Sequence, residues 1–284
     1  MTEINNIIKS KLNALSECGV EVSLFELKLL MADALDIDIN NLRFYKDRPT
    51  QEQINKFEKH IEMKKNFWPV DKILGKKSFY KLDFEVNCDV LSPRFDTEVL
   101  IDETTSLFEK SKKLDILELG TGSGCIIISL LDEYKKASGV GIDISAKALE
   151  ITQKNAINNN VADRLNLVNA SWFDNDIEKK LSKKFDIIIS NPPYIPSDDI
   201  KHLDNEVKNF DPMIALDGGI DGLRDYRRIC LIARTLLKEG GYLVFEIGIN
   251  QANDVKKIAS ANNLLLIKIA KDLGDIERCV ILKK

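Results

Sequence analysis

The run Leu117-Glu118-Leu119-Gly120-Thr121-Gly122-Ser123-Gly124-Cys125 decides the fold. An apolar stretch at 114–119 passes directly into glycines at every second position. Glycine lets a backbone turn sharply after a strand and leaves no Cβ between that backbone and a ligand at the start of the next helix. Outward from this junction the rhythm repeats, with short apolar runs at 139–142, 165–168, 185–189, 242–247 and 264–269 separated by helix-length stretches. Strands alternating with helices need crossover connections, so the chain from 93 to 284 reads as an α/β domain with a mostly parallel sheet. A last run at 277–282 follows Ala270 through a turn at Gly274-Asp275, a link too short for a helical crossover. The final two strands are therefore expected as an antiparallel hairpin.

The next strand ends at Asp143, where a carboxylate can accept both hydroxyls of a ribose. Loop and carboxylate together point to a nucleoside-containing cofactor. A dinucleotide site asks for G-x-G-x-x-G, but here the third glycine comes one residue early, at Gly124, and Cys125 stands where that pattern needs glycine. The spacing resembles instead the loop of class I S-adenosylmethionine-dependent methyltransferases, a Rossmann-like fold in which Glu118 would lie near the methionine end of the cofactor. Glu118 can equally be a strand-end carboxylate that caps the loop. The third junction carries Trp172, placed either to stack on an adenine or to fill the core.

After the run at 185–189 comes Ser190-Asn191-Pro192-Pro193-Tyr194-Ile195. Two consecutive prolines cannot continue a ladder and hold the backbone extended, so the loop is stiff. An amide or aryl-amine nitrogen is a poor nucleophile because its lone pair is delocalised. A site accepting hydrogen bonds from both N–H groups, through the Asn191 side-chain oxygen and the Pro192 carbonyl, would hold that nitrogen in line with a methyl group and stabilise the developing positive charge. Tyr194 would pack on the planar substrate group. Asn-Pro-Pro-Tyr marks methyltransferases of planar nitrogens: the exocyclic amine of adenine in nucleic acids, or the side-chain amide of glutamine in proteins.

The first ~75 residues read differently. Ile4, Ile7, Ile8, Leu12 and Leu15 form one helical stripe, and Leu24, Leu27, Leu30, Met31 and Leu35 another. Ser23 with Glu26 and Thr50 with Gln53 have capping-box spacing. Residues 1–75 are thus a helical domain, here assigned to substrate docking. The alternation at 79–91 predicts strand, and 76–92 is assigned as a β-hairpin linker to the methyltransferase domain at 93–284. Residues 46–81 hold ten basic against five acidic side chains, which is either a solvated face or a docking patch for an acidic partner or RNA.

Composition excludes much. The 284 residues carry 41 Lys+Arg against 45 Asp+Glu, a net charge of -4, so no global field grips a polyanion. Two histidines, His60 and His202, and five scattered cysteines provide little for a zinc site or a Ser/His/Asp triad. No metal is expected. Five cysteines without a C-x-x-C pair fit a reduced, cytoplasmic chain, and neither a signal peptide nor a membrane span is expected.

Several stretches resemble the release factor glutamine methyltransferases, the PrmC/HemK family. They are the helical N-terminal region, Ile73-Leu74-Gly75-Lys76 with Phe79-Tyr80, Leu91-Ser92-Pro93-Arg94-Phe95-Asp96-Thr97-Glu98, the loop 118–124, Asp143, Trp172-Phe173, Asn191-Pro192-Pro193-Tyr194, the stretch 210–223, and Gly274-Asp275 with Glu277-Arg278. The resemblance covers nearly the whole chain. It implies methylation, from S-adenosylmethionine, of the glutamine in the Gly-Gly-Gln loop of class 1 peptide chain release factors. Gly120, Thr121, Gly122, Ser123 and Gly124 would then hold the cofactor's amino-acid part, Asp143 its ribose and Trp172 its adenine side. Asn191, also at the cofactor, would bind the target glutamine with Pro192, Pro193 and Tyr194. Arg94 and Thr97 would touch cofactor or substrate, unless Arg94 merely pairs with Glu98. Phe95 stands where the family usually has proline, and Ser171 where it commonly has an acid.

Two other functions remain open at this level: an adenine-specific DNA or RNA methyltransferase, and an inactive methyltransferase fold that binds a translation factor. Against the first stand the net charge and the lack of a target-recognition insert; against the second, the presence of the glycine loop, Asp143 and Asn191 together. A monomer is expected, with nucleic acid touched at most as ribosomal RNA through 46–81.

Overall fold

Ser23 and Thr50 both cap helices. In the computed structural model, which describes residues 3–284, the Ser23 hydroxyl accepts the Glu26 N–H at 3.1 Å while the Glu26 carboxylate accepts the Ser23 N–H at 2.7 Å. Thr50 and Gln53 exchange the same pair of bonds. These caps open α2 (Leu24–Ala34) and α3 (Gln51–Lys65), which follow α1 (Glu3–Glu17) and precede the short α4 (Val70–Leu74). Ile4, Ile8 and Leu15, Leu27, Leu30 and Met31, and Phe57 and Ile61 face inward as one apolar cluster. The described chain divides into two compact units, residues up to 75 with 204–210, and residues 76–203 with 211–284. The first thus recruits a distant short helix, α9 in chain order (Asn205–Phe210). There the buried Lys64 ammonium pairs with Glu206, and the Trp68 and Phe210 rings lie 4.7 Å apart.

The second unit opens with a hairpin of β1 (Lys76–Phe79) and β2 (Leu82–Glu85). Its turn falls inside the stretch that alternation alone reads as strand. Tyr80 takes a φ of 55° and donates its N–H to Glu98, while Val86 and Val90 leave the hairpin and pack with Ala148 and Ile151. Then follow α5 (Glu98–Thr105), β3 (Asp115–Leu119), α6 (Cys125–Glu133), β4 (Ser138–Asp143), α7 (Ala146–Asn158), β5 (Leu165–Asn169), α8 (Ile177–Leu181) and β6 (Phe185–Ser190). After α9 come α10 (Arg224–Leu236), β7 (Leu237–Glu246), α11 (Ala252–Ala261), β8 (Leu265–Lys271) and β9 (Glu277–Lys283).

The sheet order is β5-β4-β3-β6-β7-β9-β8. Pairings from β5 through β7 are parallel, and β9 runs antiparallel to both β7 and β8, which is the expected final hairpin. Alternation splits the apolar side chains between two faces: Leu117, Ile188 and Phe245 pack toward α10 and α11, and Ile116, Ile187 and Val244 toward α5 and α6. The chain builds outward from β3 through β4 to β5, then crosses back to place β6 beside β3. In open parallel sheets such a reversal leaves a crevice at the carboxyl ends of the two strands. Those ends are Leu119, entering the glycine loop, and Ser190, entering the Asn-Pro-Pro-Tyr loop.

Candidate active site

All three glycines of the first loop take a positive φ, and two of them are also hemmed in. Gly120 has φ 79°, and a Cβ there would lie 3.3 Å from the Trp172 ring; Gly124 has φ 82°, and a Cβ would lie 2.7 Å from Thr152. A Cβ on Gly122 would meet nothing within 4 Å, so this residue presents bare backbone to an open groove. Asp143 ties the loop to the end of β4: one carboxylate oxygen accepts the Gly122 N–H at 2.8 Å and the other the Ser145 N–H at 2.9 Å. Burial raises its pKa while these backbone bonds oppose the rise. Each oxygen keeps a further lone pair for a ribose hydroxyl.

Glu118 caps the start of α6 from the floor of the groove. It lines the groove, yet it is buried and one oxygen accepts the Ile127 N–H at 3.2 Å in the first turn of α6. Burial lifts its pKa well above the ordinary carboxylate range. Trp172 likewise packs on the core and lines the groove. Its indole N–H donates to Asp225 at 2.9 Å, and the Arg228 guanidinium donates to its carbonyl at 2.7 Å. The Ser171 hydroxyl is turned to its own loop, accepting the Phe173 N–H. An acid does stand beside Trp172, but it is Asp225 from α10.

At the end of β6 the Ser190 hydroxyl donates to the Leu119 carbonyl at 2.7 Å, locking the two loops together. Asn191 and Pro193 line the groove with Gly120, Thr121, Gly122, Ser123, Asp143 and Trp172. Gly124, Pro192 and Tyr194 lie outside that lining. Gly124 is the residue before α6, Pro192 is buried, and the Tyr194 hydroxyl donates to Glu246 at 3.3 Å. The Tyr194 hydroxyl thus braces the loop from behind through Glu246. Gln251 donates to the Tyr194 carbonyl at 2.9 Å, and a Cβ on Gly222 would lie 2.3 Å from that same oxygen.

The mouth segment is more connected than a surface pair. Arg94 pairs with Asp211 at 2.8 Å, and Glu98 is engaged by the Tyr80 N–H, so the alternative Arg94–Glu98 pairing does not form. Phe95 is exposed, with the Lys77 ammonium 5.1 Å from its ring centre. Thr97 donates to Glu246 at 2.5 Å. Sequence reading does not single out Glu246 or Asp225, and it includes Asp211 only within the stretch 210–223, without its pairing to Arg94. For Glu246 a signal existed, since it is a carboxylate closing an otherwise apolar strand end, Tyr242-Leu243-Val244-Phe245, next to β6.

The groove thus offers bare loop backbone, a strand-end carboxylate and a flat ring side by side, a set that fits an amino-acid-bearing nucleoside such as S-adenosylmethionine. Among the described residues no cluster of His, Cys, Asp and Glu could hold a metal ion, and no helix is long and apolar enough to cross a membrane.

A family model described as the methyltransferase small domain matches residues 95–206. Over 275 residues, 95% of this chain and 93% of the relative, the sequence is 40% identical to a release factor glutamine methyltransferase of Agrobacterium fabrum. It is 37% identical over 283 residues to one of Fusobacterium nucleatum, covering 98% of this chain and 78% of that protein. Among solved structures, a methyltransferase from Pyrococcus furiosus superposes with a TM-score of 0.51 at 17% identity, over 72% of this chain and 89% of that one, a likeness of fold.

Proposed function

The chain belongs to the release factor glutamine methyltransferase family, and from that premise we propose that it transfers a methyl group from S-adenosylmethionine to the side-chain amide nitrogen of the glutamine in the Gly-Gly-Gln loop of class 1 peptide chain release factors. The observation that carries this reading is the position of Asn191, which lines the same groove as the glycine loop and Asp143.

The backbone of Gly120 to Gly124, the Asp143 carboxylate and the Trp172 ring would hold S-adenosylmethionine, which when bound supplies an electrophilic methyl group. The target amide N–H groups would be accepted by the Asn191 side-chain oxygen and the Pro192 carbonyl. Two acceptors fix the nitrogen in line with the methyl and favour the positive charge that grows on it. A buried, braced loop is suited to this, because its acceptors need not reorganise during reaction. The nitrogen becomes acidic once alkylated and releases its proton afterwards, so no general base is needed during transfer.

The helical unit is proposed as the docking module for the release factor. The basic stretch at 46–81 supports nucleic acid binding less than its count suggests: Lys64 and Lys72 are buried, and Lys56, Lys65 and Lys81 face Asp33, Glu62 and Glu133. The test is mass spectrometry of a purified release factor, and of adenine-containing DNA and RNA, after incubation with the enzyme and S-adenosylmethionine. Methylated glutamine in the release factor is expected. Methyl groups in nucleic acid alone would overturn the assignment in favour of an adenine methyltransferase.

A further inference from the structure

From the wall of the groove inward runs a hydrogen-bonded chain of four side chains drawn from distant parts of the sequence: Asn191 and Thr97 line the groove, and Glu246 and Tyr194 lie outside its lining. Glu246, at the carboxyl end of β7, accepts the Thr97 hydroxyl at 2.5 Å and the Tyr194 hydroxyl at 3.3 Å. Thr97 in turn lies 3.5 Å from Nδ2 of Asn191. Thr97 and Glu246 are 2% exposed each.

Hydrogen counting sets its direction. A threonine hydroxyl has one proton, and at Thr97 that proton is committed to the carboxylate. Toward Asn191 the Thr97 oxygen can then only accept, so the amide must present its NH2 group to Thr97 and turn its oxygen the other way. A side-chain amide has near-symmetric shape and could otherwise settle in either orientation. Only one of the two leaves Oδ1 available for a substrate N–H; the other would offer a donor to a donor.

We propose that Thr97 and Glu246 are positioning residues that set the orientation of the Asn191 amide, so that its oxygen faces the groove as the acceptor for the target nitrogen. The inference rests on the glutamine reading given above for the identity of that nitrogen, but the orientation itself is a property of the protein alone. The network's 3.5 Å link is at the long end of hydrogen bonding, as catalytic contacts often are before substrate binds. It gives the carboxylate at the end of β7 a task other than proton transfer: it never touches the reacting atoms.

Protonation of Glu246 would undo the arrangement, because a carboxylic acid can donate to Thr97 and let the threonine proton swing toward Asn191. Burial holds the Glu246 pKa up at about 7, opposed by Thr97, Arg278 and Tyr194. The charged and titratable groups around it are Arg278 from β9, Asp96 before α5, Tyr194, Tyr226 from α10, and the thiols Cys125 and Cys279. Burial raises the pKa values of both thiols and both tyrosines, which stay protonated near neutrality.

The test compares Thr97→Ser, Thr97→Val and Glu246→Gln in the full-length enzyme. Serine keeps the hydroxyl and loses the methyl; valine keeps the shape and loses the hydroxyl. With release factor as substrate, Thr97→Ser is expected to hold kcat within about twofold while Thr97→Val lowers it by roughly 10- to 100-fold with cofactor Kd unchanged. Packing alone would give the reverse order, and that order overturns the proposal. Wild-type kcat should rise with pH through the neutral range, and the rise should vanish in Glu246→Gln; a pH profile unchanged by that substitution also overturns it. A second readout needs no methyl transfer. The Asn191 side-chain amide resonances, identified by their loss in Asn191→Ala, should move in Thr97→Val and Glu246→Gln but not in Thr97→Ser. Unmoved resonances refute the orientation even if release factor is the substrate; moved resonances with no methylation of release factor refute the substrate reading alone.

Discussion

At the scale of single residues the site depends on acceptors held still. In the proposed transfer Asn191 is such an acceptor, and the loop around it is fixed by Ser190 to Leu119 and by Gln251 to Tyr194. Replacing Asn191 with alanine removes one acceptor without disturbing the glycine loop or Asp143. We expect kcat to fall by about 100-fold or more, in the range seen when one preorganised hydrogen-bond partner is lost. Cofactor affinity measured by calorimetry should change little. Full turnover in Asn191→Ala would remove it from the mechanism.

Glu246 makes a second residue-scale prediction, about stability. Its folded pKa, about 7, stands above the ordinary value of 4.5 because the side chain is buried. Below pH 4.5 the carboxyl is protonated in folded and unfolded chains alike. Between about 4.5 and 7 the folded state binds more proton, so the stability contributed by this group falls as pH rises through that window. Glutamine does not titrate. The unfolding free energy of Glu246→Gln relative to wild type should therefore shift in the variant's favour by roughly 2–4 kcal/mol between pH 4.5 and pH 8. Parallel stability curves for the two proteins would show that Glu246 is not the titrating group.

At the scale of elements, α10 does more than cover the sheet. Asp225 in its first turn holds the Trp172 indole, and Arg228 one turn on holds the Trp172 carbonyl. The tryptophan ring thereby sits against Gly120, where a Cβ would come within 3.3 Å of it. Asp225→Ala leaves the indole N–H without its acceptor and frees the ring. A drop in S-adenosylmethionine affinity of about tenfold is expected, with the melting temperature shifted by only a few degrees. Unaltered affinity would mean that the cofactor does not use this ring. The N-terminal helices offer a simpler check. Ser23→Ala removes one half of a reciprocal cap and should lower stability by about 1 kcal/mol without affecting cofactor binding.

At the scale of the whole molecule the groove is built entirely from the second compact unit: its lining residues run from Asp89 to Ala215 and include none of residues 204–210. Deleting residues 1–75 should therefore spare cofactor binding and weaken release-factor binding by at least about tenfold. Because α9 loses Lys64 and Trp68 in that deletion, Phe210→Ser is paired with it to keep the exposed helix soluble. Equal release-factor affinity in the shortened protein would give the helical unit some other role.

Much of this was readable from order and spacing. Strands with intervening helices, the glycine loop, Asp143 and the Asn-Pro-Pro-Tyr loop are local in sequence, and local patterns report on backbone conformation and on which face is apolar. The two capping boxes are local too, and both formed. The hairpin turn at Tyr80 was not readable, because a left-handed tyrosine is stabilised by Glu98 from the next helix and not by its neighbours. Alternation could say that Glu246 ends a strand but not that this strand lies beside β6, 55 residues earlier at its matching end, Ser190–Phe245. Nor could it say that Tyr194 turns inward, or that the acid beside Trp172 comes from α10. The sequence by itself determined the fold class, the family and the two loops that meet at the groove, since each is written in contiguous residues. Only the tertiary structure decided how those loops are braced. Burying Glu246 beside Thr97 and Tyr194 is a matter of strand order and desolvation, and neither is encoded within any one stretch of chain.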